Sequence, residues 1–174
     1  MSKSWYMLTV VGRDQPGIVA KVSDALFSAG CNFGEASMNR LGGNFTMMLM
    51  VQSENDLATL EEKLEPISET LNLHCHFDEI EGHLHDHHEP DVRISVYGSD
   101  RSGIMAHITE TLANAGLDIC GLESDVGGTD DNPIYIMFIE GRATLGIDAL
   151  KASLGSNIDS DIETHIEEID TVIG

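Results

Sequence analysis

An internal repeat is the strongest constraint on what this chain can fold into. Displaced by 86 residues, Val10 to Gly30 falls on Val96 to Gly116, and nine of the 21 paired positions are identical. Matched glycines anchor the register: Gly12 with Gly98, Gly17 with Gly103, and Gly30 with Gly116. A chain built this way is two copies of one supersecondary unit. Its 174 residues suit two small domains, each long enough to close a core.

Within the first copy the hydrophobic period switches in a fixed order. Residues 6–11 are short, apolar and β-branched and predict a strand. Gly12-Arg13-Asp14-Gln15-Pro16-Gly17 predicts a turn entering a helix, with Asp14 as the polar cap and Pro16 at an early helical position. Ile18, Val22, Leu26 and Ala29 then recur at helical spacing, and Gly30 stops the helix. Residues 32–41 read as extended, Gly42-Gly43-Asn44 as a hairpin turn, and 45–51 as a near-continuous apolar strand suited to a sheet centre. A helix over 54–71 and a strand over 74–80 complete the unit.

The second copy predicts a strand at 92–97, a helix at 103–115, strands at 118–127 and 134–140, a helix at 145–154 and a strand at 160–169. The order βαββαβ is the ferredoxin-like arrangement, an antiparallel sheet with both helices on one face. The expected class is therefore α+β, with domains at 1–80 and 92–174. The polar, aperiodic segment 81–91 is expected to link them.

Charge excludes several function classes. With 30 Asp+Glu against 9 Lys+Arg the formal net charge is −21, which repels phosphates and anionic membranes. No basic patch offsets it, so direct contact with nucleic acid is not expected. The longest apolar runs, 47–51 and 134–139, are too short to span a bilayer, and the first residues carry no signal-peptide pattern. Three cysteines, Cys31, Cys75 and Cys120, without CxxC spacing argue against a disulfide framework. A cytoplasmic location is the expectation.

The stretch "GRDQPGIVAKVSDALFSAGCNF" resembles the ACT domain family, and "GSDRSGIMAHITETLANAGLDI" is a second, degraded copy of the same pattern. The resemblance spans nearly the whole chain and leaves no room for a catalytic domain, so it implies a non-enzymatic regulatory protein without a cofactor. ACT domains commonly bind amino acids or other small metabolites where domains meet. Tandem ACT proteins of this size resemble the glycine cleavage system transcriptional repressor family. That resemblance implies glycine as the ligand, and action through a DNA-binding transcription regulator as partner. Sheets extended edge to edge, within a chain or in a homodimer, belong to the same family picture. In the second copy Ser102 replaces Pro16 and Asp118 replaces Asn32.

The candidate ligand site is Asp14, Gln15, Pro16, Gly17 and Ile18 with Asn32, and Asp100, Gly103 and Asp118 in the second copy. A helix N-terminus presents unpaired N–H groups and partial positive charge, which suit a carboxylate. Gly17 admits close approach to the backbone. Asn32, expected beside this loop, can donate to a carboxylate and accept from an ammonium. The plainer reading is that Asp14 caps the helix and Gly17 permits the turn. Ser37 and Ser124 are further strand positions able to reach a ligand.

Six of the eight histidines fall between residues 74 and 88, with His74 and His76 sharing one strand face. Neutral imidazoles suit Zn, Ni or Cu, although no structural-zinc spacing is present. A metal-binding protein using this segment is thus one alternative function, a ligand-free adaptor another. Met38, Met47, Met48 and Met50 cluster about one hairpin as core filling or an adaptable contact surface. Residues 54–91 carry twelve Asp+Glu and one Lys, a run that can dock a basic partner.

Overall fold

The structure, a computed structural model, describes residues 3–81, 89–99, 103–129 and 131–169. The chain forms two compact units, Met1–Asp86 and His87–Gly174. Much of the expected linker lies outside the described residues, as do its histidines His83, His85, His87 and His88 and the candidate residue Asp100.

The first unit runs β1 (Ser4–Arg13), α1 (Ile18–Ser28), β2 (Asn32–Leu41), β3 (Asn44–Ser53), α2 (Leu57–Leu71) and β4 (Leu73–Ile80). Its antiparallel sheet has the order β2-β3-β1-β4, so the apolar β3 is central as its composition predicts. Alternate residues Tyr6, Leu8 and Val10 of β1 point to the buried face. They meet Ile18, Val22 and Leu26 of α1 and Leu60, Leu64 and Leu71 of α2 in one core. Both helices therefore cover the same side of the sheet. Gly42 and Gly43 both hold positive φ, 56° and 77°, as a tight two-residue hairpin turn requires.

The second unit repeats this with β5 (Val92–Ser99), α3 (Ile104–Asn114), β6 (Leu117–Thr129), β7 (Asn132–Ala143), α4 (Ile147–Asn157) and β8 (Glu163–Glu168). Its order is β6-β7-β5-β8, and its core is its own, drawn from Val92 to Ile166. Even an irregularity is copied. The register of β2 on β3 shifts just after Phe33, and that of β6 on β7 just after Ile119, 86 residues later.

Element ends depart from expectation for local reasons. The α2 helix starts at Leu57, not Glu54, because Asp56 is its N-cap and accepts a hydrogen bond from the Thr59 N–H at 2.9 Å. The α4 helix starts after Gly146, whose φ of 88° lies outside the helix. The last strand is shorter than 160–169 because the Ile162 N–H donates to the Asp159 carbonyl and closes a turn there. The methionines also divide. Met47 and Met50 are buried on opposite faces of the sheet and only Met47 joins the core, whereas Met38 and Met48 stay about half exposed, so core filling describes one residue of the cluster.

Candidate functional site

The β1–α1 loop of the first unit is held at both flanks. The Asp14 N–H donates to the Gly43 carbonyl of the hairpin at 3.0 Å. Its carboxylate meets Arg40 of β2, Nε to Oδ2 3.3 Å. The Gln15 side-chain amide donates to the Leu71 carbonyl at the end of α2, 2.9 Å away. Gly12 precedes the loop where β1 closely approaches the α2–β4 turn; a Cβ there would lie 2.6 Å from Leu73 and 3.2 Å from the Asn72 carbonyl. These tethers fix a loop whose sequence alone would leave it free.

Asp14 is therefore not the helix cap. The N-cap of α1 is Gly17, at φ 88° and ψ 3°, and no side chain bonds to the first turn. Pro16 stands before the cap, outside the helix. The first intrahelical bond runs from the Lys21 N–H to the Gly17 carbonyl at 3.0 Å. The N–H groups of Ile18, Val19 and Ala20 precede it and form the positive end of the helix. Ile18 itself is buried and anchors the turn in the core. Space around Gly17 is open on the side where a Cβ would project.

Asn32 is not beside this loop. It pairs with Gln52, which faces Trp5 across β1, whereas Gly12 faces Phe45 at the other end of the sheet. Seven strand residues separate the two rows, roughly 23 Å at about 3.3 Å per residue. The cause is topological: α1 carries the chain back along the sheet before β2 begins. Asp118 has the same relation to Gly103, since it pairs with Arg142 near the start of β5 while Gly103 follows its end.

In the second unit Gly103 repeats the conformation of Gly17, φ 90° and ψ −5°, again without a side-chain cap. Val126 occupies the repeat position of Arg40, so the second copy has no arginine there. Arg40 and the Leu71 carbonyl were not among the sequence candidates. In a chain with 9 Lys+Arg, an arginine next to the hairpin glycines was the available signal. Ser37 and Ser124 are both exposed but not equivalent. Ser37 faces Met48, and Ser124 faces the buried Met137, which puts them on opposite faces of their sheets.

His74 and His76 share the exposed face of β4, and the His76 ring lies 3.2 Å from Asp78. Among the described residues no three His, Cys, Asp or Glu side chains are grouped to hold a metal ion. Cys31 is buried against Ser53. Burial raises its thiol pKa, opposed in part by the Ser53 hydrogen bond. Cys75 is half-buried and likewise raised by burial. Among the described residues, no helix is long and apolar enough to cross a membrane.

What the loop offers chemically is a fixed N-terminal helix turn for an anionic group, with the Asp14 carboxylate a few residues away for a cationic one. Residues 6–78 match the family model of the ACT domain. Over 69 residues the chain is 41% identical to a UPF0237 protein of Streptococcus mutans, covering 38% of this chain and 78% of that protein. It is 30% identical over 66 residues to the glycine cleavage system transcriptional repressor of Escherichia coli, covering 38% of this chain and 35% of that one. A crystal structure provisionally described as a glycine cleavage system transcriptional repressor superposes with a TM-score of 0.72, covering 97% of this chain and 99% of that one at 19% identity. That likeness extends the tandem fold over both units.

Proposed function

Because this chain belongs to the ACT domain family, with a UPF0237 protein among its relatives, we propose that it is a non-enzymatic, cytoplasmic sensor of an amino acid, glycine first among the choices. It passes ligand occupancy to a transcription regulator protein without touching nucleic acid itself. The observation that carries this reading is the side-chain-free N-terminus of α1 at Gly17, next to Asp14 held by Arg40. A ligand carboxylate takes the N–H groups of the first turn, and its ammonium group takes the Asp14 carboxylate. The net charge of −21 supports action through a protein partner. Occupancy changes the partner's affinity only as far as the ligand favours one state of the chain over another.

The test is thermal unfolding and titration calorimetry with glycine, serine and the other amino acids. A ligand at about 100 times its dissociation constant adds roughly 2.7 kcal/mol, an easily measured rise in midpoint. We expect glycine to stabilise the wild type and not Asp14→Ala. Asn32→Ala reads the assembly: a retained shift means that one unit binds alone, and a lost shift means that Asn32 reaches the loop from a second copy of the chain. Absence of any heat or shift across all amino acids rejects the sensor reading and leaves a protein-interaction adaptor.

A further inference from the structure

We propose that the groove between α2 and the outer edge of β4 docks an extended, basic segment of a partner protein. The proposal rests on the reading that this chain acts through such a partner. β4 ends its sheet and is paired with β1 on one side only, among the described residues. Alternate residues along its other side therefore present N–H and C=O groups to an incoming strand. Beside that edge lies a groove of about 540 Å³. Its floor includes Leu64 and Phe77, both almost fully buried, and its helix wall carries Glu61, Glu62 and Glu65.

A strand added to β4 points every second side chain toward this groove. Lysine or arginine fits there: the aliphatic stem lies over the apolar floor and the charged head reaches the glutamates. Residues 54–81 carry nine Asp+Glu and one Lys, so the surrounding field favours a basic segment and repels an acidic one.

The second unit shows that the fold does not require these carboxylates. Its equivalent groove, about 280 Å³ between α4 and β8, has Leu154 and Ile166 on its floor. Ile166 faces Ile94 as Phe77 faces Leu8, and Leu8 and Ile94 are repeat partners. Counting from Leu154 as from Leu64, the residues standing in place of Glu61 and Glu65 are Lys151 and Gly155. The acidic wall is thus particular to the first unit.

The probe is a fluorescein-labelled eight-residue peptide alternating valine and lysine, titrated with the full chain by fluorescence anisotropy. Its controls are the valine–glutamate peptide and a backbone N-methylated version that cannot pair with a strand edge. We expect the valine–lysine peptide alone to bind. Binding should weaken about tenfold in the double variant Glu61→Lys/Glu65→Lys, and far less in the charge-matched Glu110→Lys/Asp148→Lys. Equal weakening in both variants means bulk charge attraction and overturns the proposal. Equal binding of the N-methylated peptide, or no binding of the parent peptide, also overturns it. Circular dichroism verifies the fold of each variant, and the glycine-induced midpoint shift is measured on the same samples. A retained shift with no peptide binding removes the docking surface alone, whereas peptide binding without a shift removes the sensor alone.

Discussion

Gly17 and Gly155 are both glycines with open space around the missing Cβ, yet substitution at the two has opposite consequences. Gly17 holds φ 88° at the start of α1, a conformation that costs an L-residue roughly 1–2 kcal/mol. Gly155 lies inside α4, where glycine is worse than alanine by up to about 1 kcal/mol. Gly17→Ala is therefore expected to destabilise and Gly155→Ala to stabilise, read as opposite shifts of the denaturant midpoint. Gly17 was legible as a special residue because it repeats at Gly103, but its job was not. A turn glycine and an N-cap glycine look the same in sequence, and only the bond from the Lys21 N–H to the Gly17 carbonyl tells them apart. The displacement of Asn32 was implied by the predicted βαββαβ order and was missed: a helix after β1 returns the chain along the sheet, so β2 starts at the end opposite the loop.

Among the elements, α2 carries the pH-dependent feature. The Asp56 carboxylate accepts from Thr59 at the helix start, and that bonding holds its pKa below the ordinary value. A depressed folded-state pKa gives stability that is present above the unfolded value and lost as pH falls through the folded one. Asp56→Ala should thus lower the unfolding midpoint at neutral pH, and its difference from wild type should close in strong acid. Urea melts across an acid pH series check this; a difference constant with pH would refute the capping role. The hairpin and the buried face of α1 were legible because glycine pairs and apolar periods are local signals, whereas Leu57, at the helical spacing of the α2 face, is exposed at the first turn. The tethers that shape the candidate site, Asp14 to Arg40 and Gln15 to Leu71, join residues far apart in the chain. No periodicity encodes such pairs, which is why Arg40 went unnoticed while its partner did not.

For the molecule as a whole, each core is closed within its own unit, the first from Tyr6 to Phe77 and the second from Val92 to Ile166. A segment of residues 1–81 is accordingly expected to fold alone and to unfold in one cooperative transition by circular dichroism. A featureless melt would show that its core needs the second unit. The repeat kept its backbone while the two edge grooves parted in charge, glutamates on one and Lys151 on the other. Duplication of this kind normally doubles the number of addresses on a molecule. Of the two described edge grooves only the first is lined by glutamates, so the proposed docking predicts one bound peptide per chain although the fold is written twice.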